Sequence, residues 1–215
     1  MNLPMRMRKK PWVDSLLQNP PSFVLGDVLS LSGKTHAHYD IVHLEIGSGK
    51  GDYWIQMSQI YPKDLWIGIE KEMNVAAVAI KKASEAIKDN QLFLIGDAQN
   101  YLEQFSDHDI DIIHLNFSDP WPKKRTHKRR LSASTFIDQY KRILSEEGQI
   151  IMKTDNKDLF EYSMVQFSQS GFVLEEMSVD FRREQQEDAI SEYEARFMSL
   201  NQPIYRCIWR KKHRG

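Results

Sequence analysis

The sequence predicts an α/β domain built on a mostly parallel sheet with helices on both faces. Three observations predict it. Short apolar runs alternate with helical patterns from about residue 40 onward. A glycine-rich turn, Gly47-Ser48-Gly49-Lys50-Gly51, follows the first run. Acidic side chains (Glu45, Glu70, Asp97 and Asp119) then stand at or near the ends of successive runs. Strand–helix alternation implies parallel strands joined by helical crossovers, and such sheets bind ligands outside the carboxyl ends of their strands.

Each element follows from its own pattern. Ile41 to Ile46 reads as the first strand, followed by the glycine turn and a helix near 51–60. Leu65 to Glu70 is the second strand. A helix over 72–88 places Val75, Ala76, Ala79, Ile80, Ala83 and Ile87 on one face. Leu92 to Ile95 is the third strand and Ile110 to Asn116 the fourth. A helix over 132–145 turns Phe136, Ile137, Tyr140, Ile143 and Leu144 inward, and Gly148 leads into a strand from Gln149 to Lys153. A helix over 156–169 ends before Gly171, a C-terminal glycine signature. Phe172 to Met177 and Ile204 to Trp209 close a seven-stranded sheet. Residues 1–22 are basic and hold four prolines, which predicts an N-terminal arm; residues 23–215 form the single domain.

At 215 residues with 41% hydrophobic content the chain can bury a substantial core. No apolar run reaches the length of a membrane span. The basic leader runs into Pro11-Trp12-Val13-Asp14, unlike a secretory signal. One cysteine, Cys207, excludes an internal disulfide and points to a reducing cytoplasm. Net charge is −1, but the distribution is uneven. Residues 1–10 hold four Lys/Arg, residues 123–130 six and residues 210–214 four, fourteen of the 29 in three short segments. A polarised surface of this kind suits a polyanion. His36 and His38 are spaced as metal ligands could be, but lie in a loop without a cysteine partner, so no metal is expected. His43 and His114 fall on strand patterns, and Tyr39, Tyr53, Trp54, Phe160 and Phe167 read as core.

The glycine turn departs from a dinucleotide fingerprint. The third glycine comes one position early, at Gly51, and Asp52 holds its slot. A Gly-Lys-Ser/Thr phosphate loop is absent. Glu45, two residues before the first glycine, repels a pyrophosphate and attracts an amino group and a sulfonium. Glu70, 19 residues after Gly51, can accept from ribose hydroxyls, and Asp97 from an adenine amino group. S-adenosylmethionine fits that set, and a dehydrogenase does not.

The segment Asn116-Phe117-Ser118-Asp119-Pro120-Trp121-Pro122 follows the fourth strand and precedes the basic run from Lys123 to Arg130. The prolines should hold Asp119 and Trp121 extended, fixing side-chain direction as positioned catalysis requires. Trp121 can stack a base or serve as a core or hinge tryptophan. Asp119-Pro120-Trp121 resembles the Asp-Pro-Pro-Tyr motif of amino methyltransferases, so an adenine amino methyltransferase stays open. A non-catalytic RNA-binding protein on the same scaffold is a further alternative, opposed by the full acidic set.

Nearly end to end, the chain is similar to the bacterial tRNA (guanine-N(7))-methyltransferase family. The similarity is carried by Arg6 to Trp12, Glu45 to Gly51, Gly96-Asp97-Ala98, Asp119 to Arg125, Thr154-Asp155 and Tyr193 to Phe197. It implies a Rossmann-like class I methyltransferase fold using S-adenosylmethionine on guanine 46 of the tRNA variable loop. It further implies a cofactor site of Glu45, Gly47, Gly49, Gly51, Glu70, Asp97, Ala98 and Asp119, with Asp119 catalytic. Lys123, Asp155, Ser191, Glu192, Tyr193 and Glu194 would meet substrate, with Glu194 accepting from guanine. Arg125, Thr126, His127, Lys128, Arg129 and Arg130 would meet RNA. Asp155 can equally cap the helix that follows. Ser191 stands where the family suggests threonine, which keeps the hydroxyl and loses a methyl. The resemblance allows a monomer or a homodimer, and a homodimer is expected.

Overall fold

The computed structural model describes residues 11–28 and 35–212. It opens with α1 (Pro11–Gln18) and a two-residue strand, β1 (Val24–Leu25), then a short α2 (Thr35–His38). The repeating core follows as β2 (Val42–Ile46), α3 (Asp52–Ile60), β3 (Leu65–Glu70), α4 (Met73–Ser84), β4 (Gln91–Ile95), α5 (Ala98–Leu102) and β5 (Ile110–Asn116). The second half adds α6 (Ser134–Ile143), β6 (Leu144–Thr154), α7 (Lys157–Gln169), β7 (Phe172–Ser178), α8 (Glu192–Ser199) and β8 (Tyr205–Lys211).

The strands form one sheet in the order β1-β4-β3-β2-β5-β6-β8-β7. All pairings from β1 to β6 are parallel, and β8 runs antiparallel between β6 and β7. The order reverses between β2 and β5, so the carboxyl ends of these two strands open onto the crevice where such sheets hold ligands.

Alternating strand residues divide the core into two layers. Val42, Leu44, Leu65, Ile67 and Ile69 pack with Leu102, Ile137 and Phe167 on the face covered by α5, α6 and α7. Trp66 and Phe93 pack with Trp54, Ala76, Ala79 and Ile80 on the face covered by α3 and α4. α1 joins this second layer: Val13 is buried, Leu16 and Leu17 pack against the cluster, and the Lys81 ammonium lies 4.9 Å from the Trp12 ring centroid. Residues 11–18 of the expected arm are therefore a docked helix, and residues 1–10 lie outside the described residues.

The sheet has eight strands rather than the expected seven. The addition is β1, where Val24 pairs with Phe93; two residues carry no readable period. α4 stops at Ser84, not 88, because the Ser84 hydroxyl bonds back to the Ile80 carbonyl (2.7 Å) and Glu85 N closes onto Lys82 O. Ile87, expected on the inner face, is 54% exposed. Among the described residues, no helix is long and apolar enough to cross a membrane, and no group of His, Cys, Asp and Glu could hold a metal.

Candidate functional site

β2 delivers Glu45 and then the glycine turn. Gly47 (φ +83°) and Gly49 (φ +57°) take left-handed backbone that only glycine adopts readily, and a Cβ on either would meet nothing within 4 Å. Their backbone faces a cleft of about 520 Å³. Gly51 is needed for packing instead: an added Cβ would stand 2.8 Å from the Ala79 Cβ of α4. The turn is tied to β3, since Gly47 N and Ser48 N donate to the Ile69 carbonyl at 2.8 and 2.9 Å. Glu70 completes the anchor. Its Oε2 accepts from Gly49 N (3.0 Å) and its Oε1 from Glu72 N (2.8 Å).

The floor of the cleft is formed where β2 meets β5. Glu45 and Asn116 are buried there, and Asn116 Nδ2 donates to Glu45 Oε1 at 2.9 Å. Glu45 Oε2 and Asn116 Oδ1 have no partner. Burial pushes the Glu45 carboxyl up to about 7, against the pull of hydrogen bonds from Asn116 and Ser48 and of the Lys153 charge. Two bare acceptors suit a ligand with a positively charged amino group and disfavour a phosphate.

One wall of the cleft comes from the segment entering α8. Ser191 caps α8 by accepting from Glu194 N at 3.1 Å. Lys50 in the glycine turn pairs with Glu192 at 2.7 Å, and this hydrogen bond lowers the Glu192 carboxyl pKa. The Tyr193 ring stands 5.7 Å from Phe117 and 5.1 Å from Phe197.

Glu194 corrects an expectation. Rather than facing a guanine it is fully buried, with Oε1 accepting from Arg182 Nε (2.6 Å) and Oε2 from Lys153 Nζ (3.1 Å). Asp188 completes the quartet, accepting from Lys153 Nζ at 2.7 Å and Arg182 Nη2 at 2.6 Å. The Tyr53 hydroxyl donates to Asp188 Oδ1 at 2.9 Å, tying the quartet to α3. Below it His43 and His114 share a hydrogen bond of 3.0 Å, and burial lowers the pKa of both rings.

Asp119 lies beyond the end of β5 and is exposed, with Lys71 Nζ at 3.8 Å. The aromatic residues two positions to either side are unusual: Phe117 has φ +50° and Trp121 φ +40°. Trp121 is therefore not extended, contrary to what Pro122 predicts. Arg129 (5.0 Å) and Lys71 (5.7 Å) both place their charge over its ring. Residues Lys124–Arg129 form a 3-10 helix in which the Thr126 hydroxyl donates to the Lys123 carbonyl at 2.7 Å.

The basic run divides accordingly. Lys123, Lys124, Arg125, Lys128 and Arg129 are exposed, and Thr126 and His127 are half-buried. Arg130, expected to meet RNA, is only 3% exposed, because Nε donates to the Pro120 carbonyl (2.8 Å) and the guanidinium packs on Tyr162 (4.4 Å). Asp155 is not the α7 cap: Asn156 is, accepting from Leu159 N at 2.8 Å. Asp155 is half-buried at the end of β6, and burial raises its carboxyl pKa. Asp97 is exposed and caps α5 through Gln99 N (2.9 Å), with Ala98 buried behind it.

The fold thus gathers Glu45, Gly47, Gly49, Ser191, Glu192 and Tyr193 around one cleft. Glu70 ends β3, and Asp97, Asp119 and Asp155 follow β4, β5 and β6, at the carboxyl ends of these strands and without lining that cleft. Asn116, Lys50 and Tyr53 line it and were not expected. For Asn116 the signal was its place as the last, polar residue of an apolar strand.

A family described as "Putative methyltransferase" matches residues 39–207. A tRNA (guanine-N(7)-)-methyltransferase of Oceanobacillus iheyensis is 43% identical over 207 residues, covering 94% of this chain and 97% of the relative. The enzyme of that name in Geobacillus thermodenitrificans is 40% identical, covering 94% of this chain and 96% of its own length. Among solved structures, an antibiotic-related methyltransferase aligns with TM-score 0.61 at 18% identity, covering 85% of this chain and 94% of that one. The 16S rRNA methyltransferase KamB aligns with TM-score 0.62 at 13% identity, covering 84% and 92%. These two likenesses establish the Rossmann-like methyltransferase fold, and the sequence relatives go further: the chain belongs to the tRNA (guanine-N(7)-)-methyltransferase family.

Proposed function

We propose that this chain transfers a methyl group from S-adenosylmethionine to N7 of guanine in tRNA, at position 46 of the variable loop. The observation that carries the methyl-donor part of this reading is the pair of unpartnered acceptors, Glu45 Oε2 and Asn116 Oδ1, on the floor of the β2–β5 crevice, and the sequence relatives support guanine in tRNA as the acceptor. S-adenosylmethionine, when bound, supplies an electrophilic methyl group on a sulfonium. Glu45 takes its amino end, the open backbone at Gly47 and Gly49 lets it approach, and Glu70 and Asp97 meet its ribose and adenine.

Guanine N7 has a free lone pair and no proton, so the reaction needs no base to expose the nucleophile. It needs alignment and a counter-charge for the positive charge passing to the ring. Asp119, held beside Phe117 and Trp121, supplies both. Lys123, Asp155 and the Ser191–Tyr193 wall receive the substrate. The exposed side chains of Lys124, Arg125 and Lys128 hold phosphates of the tRNA backbone, which gives orientation and affinity rather than sequence reading. The reaction is assigned to the cytoplasm, and the protein to a homodimer, which light scattering of the full chain tests; the mass of one chain would contradict it.

A tRNA transcript with guanine 46 replaced by adenine tests the site. The reading predicts 7-methylguanosine in the parent transcript and none in the replaced one. Equal product from both would overturn the position, and methylated adenosine would overturn the base.

A further inference from the structure

The Glu45–Asn116 contact assigns a role to a residue outside the expected site. A carboxylate only accepts, so the Asn116 amide turns its NH2 toward Glu45 Oε1, at 2.9 Å. That choice leaves Asn116 Oδ1 as an acceptor, buried and without a donor, beside the equally bare Glu45 Oε2. Lys153, whose charge is felt at Glu45, cannot serve either oxygen, because its Nζ is committed to Asp188 and Glu194. Both residues line the cleft onto which Gly47 and Gly49 open. A buried acceptor is costly until a donor reaches it, and an ammonium group brings three donors.

We propose that Asn116 is a second binding residue for the methyl donor, its Oδ1 accepting beside Glu45 Oε2 from the amino group of the methionyl end. This rests on the methyl-donor reading above. Asn116 has two tasks. Its amide NH2 orients the Glu45 carboxyl, and its carbonyl completes a two-acceptor seat that a carboxylate alone could not make. The seat selects ligands with an amino-acid end over bare nucleosides.

The test is equilibrium binding to the full chain in the absence of tRNA, so no turnover is involved. Two probes are titrated: S-adenosylhomocysteine, which has the amino-acid end, and 5′-methylthioadenosine, which lacks it. Asn116→Leu keeps the branched shape and removes the amide, and Asn116→Ala is the second variant should leucine fail to fold. Losing a hydrogen bond to a charged group predicts affinity for S-adenosylhomocysteine lowered about 10- to 100-fold. Affinity for 5′-methylthioadenosine should stay within about twofold of wild type. Unchanged affinity for S-adenosylhomocysteine overturns the inference. An equal loss for both probes also overturns it, by making Asn116 a shaper of the cleft rather than a partner of the amino group. A wild-type protein that binds neither probe overturns the donor reading itself, a result distinct from the other two.

Discussion

Glu45 concentrates the electrostatics of the cleft. Burial raises its carboxyl from an ordinary 4.5 to about 7, with Asn116, Ser48 and Lys153 pulling it down and Glu70 pushing it up. The folded protein therefore holds this proton more tightly than the unfolded chain does. Between those two values the folded state binds more protons, so Glu45 makes stability fall as pH rises toward 7. Ligand binding runs the other way, because only the ionised carboxylate attracts an ammonium. Affinity for S-adenosylhomocysteine should rise between about pH 6 and 7 and, near the carboxyl midpoint, binding should release about half a proton. Calorimetry in two buffers of different ionisation enthalpy measures that proton. Glu45→Gln should abolish its release, and an unchanged proton count in the variant contradicts the assignment.

At the scale of elements, the glycine turn and the buried quartet do different work. Gly47→Ala places a side chain in left-handed backbone but in open space, costing about 1 kcal/mol. Gly51→Ala adds a collision with Ala79 at 2.8 Å and should cost about 2–4 kcal/mol. Urea unfolding ranks the two; equal losses would contradict the packing account of Gly51. Donor affinity should show the reverse emphasis, falling more for Gly47→Ala per unit of stability lost. Lys153→Met leaves Arg182 as the one cation of the quartet, facing both Glu194 and Asp188, and removing one member of a buried ion cluster costs about 3–5 kcal/mol. Adding Glu194→Gln restores charge balance and should recover part of the loss; no recovery would show that packing rather than charge governs the quartet. The strands and long helices behind these elements were legible because their periods are set by burial, as in β5 and α6. The end of α4 was not, since it depends on Ser84 bonding to its own backbone, and β1 was too short to carry a pattern. Lys153 and Glu194 are far apart in sequence and meet only through the sheet order, so no local pattern could have paired them.

Across the whole molecule, the placement of the acidic residues at strand ends was readable because parallel strands deliver their carboxyl ends to one edge, whatever the details of the helices. The split of the basic run was not readable: sequence shows six charges between 123 and 130, and only the fold turns Arg130 inward. That split has a measurable consequence. Replacing Lys124, Arg125 and Lys128 by alanine should reduce the salt slope of tRNA binding by about 0.7–0.9 for each phosphate the protein no longer neutralises. Arg130→Ala should instead lower the melting temperature, because the hydrogen bond to Pro120 and the packing on Tyr162 disappear, with little change in slope. A slope indifferent to the triple replacement would move the RNA surface elsewhere.

Nucleoside mass spectrometry of unmodified tRNA, incubated with S-adenosylmethionine and either wild type or Asp119→Ala, tests the central claim most directly. The account predicts 7-methylguanosine with the wild type and its loss with the variant, while the variant still binds S-adenosylhomocysteine through the amino-group seat at Glu45 and Asn116, which the substitution leaves in place. Methylated adenosine, or undiminished 7-methylguanosine from Asp119→Ala, would contradict it.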